Sequence, residues 1–169
     1  MRIEPIAAAD WERVREIYLE GIATKVATFE TRAPTWEAWD QSHLPGPRLK
    51  AVEGRTIAGW TALTPVSRRA VYAGVAELSI FIAEGWRGRG VGKALLTALV
   101  AASEELGIWT LQAGIISSNT ASIALHRGCG FREVGVRERL GSLEGVWHDV
   151  VLMERRSPKV HPAGNLSVR

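Results

Sequence analysis

Arg87-Gly88-Arg89-Gly90-Val91-Gly92-Lys93 is the stretch that decides how this chain folds. Before it, Leu78, Ile80 and Ile82 alternate with Glu77, Ser79 and Phe81, a strand pattern. After it, Leu95, Leu96, Leu99 and Val100 recur at helical spacing. Glycines at a strand-to-helix turn let the backbone approach an anion closely, and the helix start offers unpaired N–H groups and a favourable dipole. Arg87, Arg89 and Lys93 add positive charge, so the turn has phosphate-binding chemistry. Neither common nucleotide loop fits. A Walker A loop needs glycine where Arg87 stands and Ser or Thr where Ala94 stands. The dinucleotide fingerprint needs G-x-G-x-x-G, whereas Gly88, Gly90 and Gly92 form G-x-G-x-G.

Arg2–Ile6 reads as a first strand, and Trp11, Val14, Ile17, Tyr18 and Ile22 as a helix face. Residues 26–34 break that period and read as a loop. Pro34-Thr35 opens a short helix carrying Trp36 and Trp39, with Thr35 as N-cap, and Pro45-Gly46-Pro47 ends it. Leu49–Val52 and Thr56–Thr64 form a hairpin about Gly54, and Val71–Ala83 reads as one longer strand. Beyond the helix 91–106, Trp109–Ile115 is a strand and Asn119–Cys129 a helix. Arg132–Arg139 and Val146–Met153 close the chain as strands joined by a Gly141–Gly145 turn. The order β-α-α-β-β-β-α-β-α-β-β predicts an α/β (α+β) domain with a mixed sheet and helices on both faces.

With 169 residues, 46% hydrophobic and 23% charged, the chain suits one folded domain. The net charge of +3 lies in residues 154–169, where Arg155, Arg156, Lys159 and Arg169 face Glu154 alone. The rest is electrically balanced, which argues against a nucleic-acid-binding body. Residues 157–169, with two prolines and a glycine, read as a flexible tail after a domain at 1–156. No apolar run is long enough for a membrane span. An N-terminus with early acids and a single cysteine, Cys129, indicate a cytoplasmic protein without a disulfide. No cluster has metal-ligand spacing. Cys129 is expected to be a small buried residue, and His43 a surface one.

What does fit the turn is Arg87-x-x-Gly90-x-Gly92, which resembles the R/Q-x-x-G-x-G/A pyrophosphate loop of the GNAT acetyltransferases. A second motif agrees. Asn119-Thr120-Ala121-Ser122 opens a helix that ends Leu125-His126-Arg127-Gly128-Cys129-Gly130-Phe131, resembling the fourth GNAT helix. The resemblance covers about residues 2–156. It implies a mostly antiparallel sheet of about seven strands flanked by four helices, with acetyl-CoA as co-substrate and no metal. Within it, Arg87, Gly88, Arg89, Gly90, Val91, Gly92 and Lys93 hold the pyrophosphate, and Asn119 and Ser122 meet the CoA arm. Leu78, Ser79, Ile80, Phe81 and Ile82 pair with the pantetheine through their backbone.

The resemblance also implies roles for single side chains. Glu77 acts as the base, directly or through water, that frees the acceptor amine. His126 stands where many members have a tyrosine that protonates the departing thiolate. Val26-Ala27-Thr28-Phe29-Glu30-Thr31 and Val146-Trp147-His148-Asp149-Val150 are similar to stretches of the phosphinothricin acetyltransferases. Phe29, Glu30, Trp147 and His148 therefore line the acceptor site, with Trp36 and Trp39 helping to close it. Residues 66–77, Val-Ser-Arg-Arg-Ala-Val-Tyr-Ala-Gly-Val-Ala-Glu, are closer to the arsinothricin-resistance branch. They make Arg69, ahead of Arg68, the partner for an acceptor anion, with Tyr72 beside it. Ala73 departs from the methionine-sulfoximine enzymes, which carry an arginine there. The expected activity is transfer of acetyl to the α-amine of a small amino acid such as phosphinothricin, arsinothricin or methionine sulfoximine, by a homodimer. Alternatives are a protein N-terminal acetyltransferase of the same fold and a non-catalytic CoA-binding sensor.

Overall fold

The structure is a computed structural model and describes residues 1–161. Its strands are β1 (Arg2–Pro5), β2 (Arg48–Glu53), β3 (Thr56–Pro65), β4 (Val75–Ile82), β5 (Thr110–Ile116), β6 (Arg132–Leu143) and β7 (Val146–Arg156). Its helices are α1 (Trp11–Ala23), α2 (Trp36–Ser42), α3 (Val91–Glu105) and α4 (Thr120–Gly128). The strands form one sheet in the order β1-β2-β3-β4-β5-β7-β6. Every neighbouring pair is antiparallel except β4 and β5.

Alternation along the strands divides the core. On one face Leu63, Leu78, Leu111, Ala113 and Met153 pack with Leu96 and Leu99 of α3. On the other, Trp60, Ala62 and Phe81 meet Val14 and Ile17 of α1 and Trp39 of α2. Thr35 caps α2 as its sequence suggests, its Oγ1 accepting from Ala38 N–H at 3.3 Å. Helices α1 and α2 shelter only the β3–β4 side of their face. The corresponding face of β5, β7 and β6 is left to the 24–35 loop, and that unequal cover makes room for a site.

Three boundaries differ from the sequence reading. The single strand expected at 71–83 is a 3-10 turn at Ala70–Tyr72 followed by β4. Gly74 breaks the run: its carbonyl accepts from the amides of Trp109 and Thr110, and the Trp109 ring fills the space of a Cβ. The last two strands run on to a two-residue turn, Glu144-Gly145, in place of the turn expected at 141–145. Both turn residues have positive φ (50° and 81°), the conformation that matches hairpin twist. The expected tail begins at a residue that is still packed. Ser157 is buried, its hydroxyl donates to Glu104 Oε1 at 3.0 Å, and Lys159 Nζ pairs with Glu104 Oε2 at 3.0 Å. Residues 162–169 of that tail lie outside the described residues.

Candidate active site

The glycine-rich turn connects β4 to α3. Gly88 and Gly90 have φ of 71° and 82°, left-handed values that cost other residues about 1–2 kcal/mol each. Gly90 is the N-cap of α3, and the first intrahelical bond runs from Ala94 N–H to its carbonyl at 3.1 Å. The amides of Val91, Gly92 and Lys93 therefore have no intrahelical acceptor, and the helix dipole adds to them. Arg87 Nε donates to Ile82 O at 3.2 Å, which fixes the turn against the strand end. A cleft of about 530 Å³ opens here, walled by Ile82, Arg87, Gly88, Gly90, Gly92 and Lys93 on one side and by Asn119 and Ser122 of the α4 start on the other. Arg89 and Val91 do not line it. The Arg89 guanidinium lies 5.4 Å over Trp86, and Val91 turns into the core.

Asn119 is both cap and tether. Its Oδ1 accepts from Ser122 N–H at 3.2 Å, and its Nδ2 donates to Val26 O at 3.3 Å, holding the 24–35 loop over the cleft.

Strands β4 and β5 pair only at Val75/Thr110, Ala76/Leu111 and Glu77/Gln112, then part. The β3 edge of β4 stays paired as far as Ile82. Ala83 N–H donates to Ala58 O, so by strand alternation the amides of Phe81 and Ser79 face β3. Those of Ile80 and Ile82, beyond the last β4–β5 pair, face the gap. The gap is thus bordered by an unpaired strand edge, the geometry that accepts an extended polar chain as an added strand.

Where the strands part, Gln112 Nε2 donates to Glu77 Oε2 at 2.7 Å. The second carboxylate oxygen is left to accept. Gln112 was not anticipated; its position opposite Glu77 depends on a crossover through α3 that no local motif reports. Both side chains border an inner cavity of about 350 Å³. This cavity shares Ile80, Phe81, Asn119 and Ser122 with the first cleft, so the two adjoin. Leu78 and Ser79 line the inner part.

His126 also borders the inner cavity and is 1% exposed. Its Nδ1 lies 2.7 Å from Ser122 O. A carbonyl only accepts, so Nδ1 carries the proton and Nε2 of the neutral ring is an acceptor, with no protein partner. Burial lowers the imidazole pKa, only partly offset by the bond to Ser122.

On the far wall, Phe29 and Glu30 line the inner cavity together with Tyr18, Arg137 and Leu140. Phe29 fits over Gly141, where a Cβ would come within 2.7 Å of its ring, and meets His148 edge-on at 6.1 Å between centroids. His148 packs against Phe29 and is not itself among the residues lining this cavity. A third cavity, about 630 Å³, adjoins across Tyr18, Glu30, Ser79 and Phe81, and includes Arg32 and His43. His43 stacks on Trp39 at 4.3 Å, so it is half-buried and not a surface residue. Cys129 is also half-buried.

Three expected acceptor contacts lie elsewhere. Arg69 and Tyr72 sit at the exposed 3-10 turn before β4, with the Arg69 guanidinium 5.5 Å over the Tyr72 ring, and neither lines any of these three cavities. Trp147 is 62% exposed. Trp36 and Trp39 stack on each other at 5.6 Å, and of the two only Trp39 touches the third cavity. The closed aromatic box expected from the tryptophans is absent among the described residues, because most of their surface is committed to the α1–α2 core.

A phosphate-ready helix start beside a split between parallel strands is the arrangement of one acyl-transfer fold. The profile of the Acetyltransferase (GNAT) family matches residues 10–131. The chain belongs to the GNAT acetyltransferase family. Among its relatives, the phosphinothricin N-acetyltransferase of Streptomyces coelicolor is 31% identical over 92% of this chain and 95% of its own length. Among solved structures, a phosphinothricin acetyltransferase from Sinorhizobium meliloti in complex with acetyl-CoA superposes with a TM-score of 0.84. It is 31% identical and is covered over 95% of each chain. A ribosomal-protein-alanine N-acetyltransferase from Brucella melitensis gives a TM-score of 0.85 at 28% identity, over 93% of this chain and all of the other.

This GNAT chain is an acetyl-CoA-dependent N-acetyltransferase, and acetyl-CoA supplies the activated acetyl group. The residues fit that co-substrate: three free amides and Lys93 at the α3 start suit a pyrophosphate, and the unpaired β4 edge suits an amide-bearing arm. No group of three or more His, Cys, Asp or Glu able to hold a metal occurs among the described residues. No helix among them is long and apolar enough to cross a membrane.

Proposed function

We propose that this enzyme acetylates the α-amine of a small amino acid such as phosphinothricin, arsinothricin or methionine sulfoximine, by direct attack on the thioester. The observation that carries the reading is the Glu77–Gln112 pair. It stands where β4 and β5 part, on the wall of the cavity of about 350 Å³ that adjoins the glycine-turn cleft. Gln112 fixes one oxygen of Glu77, and the other accepts a proton from the acceptor ammonium, directly or through one water. The amine so freed attacks the carbonyl presented along β4. The C–S bond then breaks, CoA leaves as its thiolate, and the proton lost by the new amide nitrogen matches the one the thiolate takes up. The amide of Ile80 lies on the gap side to pair with the arm and polarise that carbonyl. Glu77 is the only residue assigned to proton transfer; His126 shapes the cavity wall.

The pyrophosphate is assigned to the Gly88–Lys93 turn and the arm to Leu78–Ile82, Asn119 and Ser122. Phe29 and Glu30 wall the acceptor. The relatives that act on phosphinothricin support the acceptor class, and so does the cover of the cavity by the 24–35 loop, tied down through Asn119 and Phe29. The exposed Val134, Val136 and Leu140 along the edge strand β6 support a homodimer.

A second reading, acetylation of a protein N-terminus, has the Brucella melitensis structure in its favour. A peptide needs an exit for its second and third residues, and the adjoining 630 Å³ cavity past Tyr18 is the available route. One assay separates the two. CoA release is measured with the three amino acids, common amino acids and short peptides beginning in alanine, for the wild type and Glu77→Gln. Saturable turnover on small amino acids, lost in the variant, supports the first reading; turnover on peptides alone replaces it with the second.

A further inference from the structure

From the layout of the inner cavity we propose that Arg137 binds the distal anionic group of the acceptor and so sets preference for a doubly anionic amino acid. This rests on the acceptor class proposed above. The charged side chains lining the cavity are Glu30, Glu77 and Arg137, so Arg137 is its one cation among the described residues. Arg137 makes no ion pair or side-chain hydrogen bond to any of them. The arginine expected for this task from the sequence, Arg69, lines none of the three cavities described and lies over the Tyr72 ring. An acceptor with an ammonium and two anionic groups would otherwise meet only carboxylates.

The sheet register places Arg137 at the right end. Glu77 pairs with Gln112, Ile116 pairs with Val150, and Val150 pairs with Arg137. Cross-strand partners share a face, so Gln112, Ile116, Val150 and Arg137 all project onto the cavity side of the sheet. The row through Ile116 lies four residues along β5 from Gln112, about 13 Å at a rise of about 3.3 Å per residue. An α-carboxylate sits one carbon from the reacting amine and cannot reach that row. A group three or four carbons further along the acceptor extends toward it, and a long guanidinium side chain closes the remainder.

Two local features keep this route open. Gly114 is the same-face residue between Gln112 and Ile116; it is exposed and raises no side chain between the two ends. The β6 register slips between Arg137 and Gly141, where two extra residues bulge out, and Arg139 takes a φ of 48° with its N–H donating to Asp149 Oδ1 at 2.8 Å. That bulge ends regular pairing immediately after Arg137 and lets Leu140 and Phe29 fold over the same end of the cavity. A planar, bidentate donor at such a place suits a phosphinate or a carboxylate better than a neutral sulfoximine.

The test is steady-state acetylation of L-phosphinothricin and L-methionine sulfoximine by the wild type, Arg137→Gln and Arg137→Lys, with acetyl-CoA binding measured on each to show an intact fold. The two acceptors share the α-amine and α-carboxylate and differ in distal charge. The ratio of kcat/KM for phosphinothricin over methionine sulfoximine is expected to fall about 10- to 100-fold in Arg137→Gln, the range of a lost charge-assisted bond, mainly through KM. Arg137→Lys recovers part of it. An unchanged ratio, with either equal losses on both acceptors or none, overturns the role of Arg137 while leaving the acceptor class standing. Wild-type silence on both acceptors overturns the acceptor class, and this inference with it.

Discussion

Gln112 Nε2 donates to Glu77 Oε2 at 2.7 Å across the last paired level of β4 and β5. One residue later the strands part, so the carboxylate is fixed at the mouth of the gap and not within the ladder. Glu77→Gln keeps the shape and removes the base. It is expected to lower kcat by about 100-fold or more, the usual contribution of general base catalysis. Gln112→Leu leaves the base but frees its orientation, and a loss of about 10-fold in kcat with intact acetyl-CoA binding is expected. Stopped-flow or continuous thiol detection checks both, and equal effects would show that Gln112 does more than orient.

Gly90→Ala tests the phosphate turn. A Cβ at φ of 82° costs about 1–2 kcal/mol, and the chain relieves it by turning the α3 amides away from the cleft. The KM for acetyl-CoA is expected to rise about 10-fold with the acceptor KM little changed. Calorimetric titration with CoA reads the same shift without turnover.

Gly141→Ala tests the acceptor wall. The new methyl group comes within 2.7 Å of the Phe29 ring, which has to swing away and carry the 24–35 loop with it. The acceptor KM is expected to rise about 5- to 20-fold, the scale of about 1–2 kcal/mol of lost complementarity, while CoA binding is preserved. A second substitution, Phe29→Leu, relieves the clash and is expected to restore part of the loss.

His126 makes the fold sensitive to mild acid. Its folded pKa lies below the ordinary 6.5 because the ring is buried. Above about pH 6.5 the imidazole is neutral in both folded and unfolded chains and there is no penalty. As pH falls below 6.5 the unfolded chain takes up a proton that the folded one refuses, so stability declines until the lowered folded pKa is passed. His43, lowered chiefly by burial, acts in the same direction. Thermal melts between pH 7.5 and 5.5 are expected to show a falling Tm, with a smaller fall in His126→Gln. If His126 were instead an essential acid, that variant would lose kcat by orders of magnitude; less than about 10-fold is expected.

The packed start of the tail gives the fifth prediction. Burial would raise the Glu104 pKa, but hydrogen bonds from Lys159, Arg155 and Ser157 together bring it below the usual 4.5. Its stabilising contribution is therefore present above about pH 4.5 and lost as pH falls from there through the folded value. Removing residues 157–169 leaves Arg155 as its remaining partner. Tm is expected to drop by about 2–4 °C at neutral pH, since Lys159 is largely exposed and its pair is screened by water.

The sequence by itself determined the element order, the phosphate turn and the α4 start, because each is local chemistry. Arg87-x-x-Gly90-x-Gly92 needs positive-φ residues and free amides within seven positions, and Asn119 needs only a helix three residues long to cap. Glu77 is singled out by its place at the start of β4 and by the family resemblance, and its role as base stands as a proposal. Tertiary structure alone decided what faces the acceptor. Gln112 lies 35 residues from Glu77 and Arg137 lies 60, and only the β4-β5-β7-β6 order brings the three onto one sheet face. The same geometry leaves Arg69 and Tyr72 off the walls of the cavities described and packs most of the tryptophans into the core. A strand pattern records that alternate residues share a face, but which neighbouring strand supplies the rest of that face depends on long-range pairing, and no local spacing encodes it.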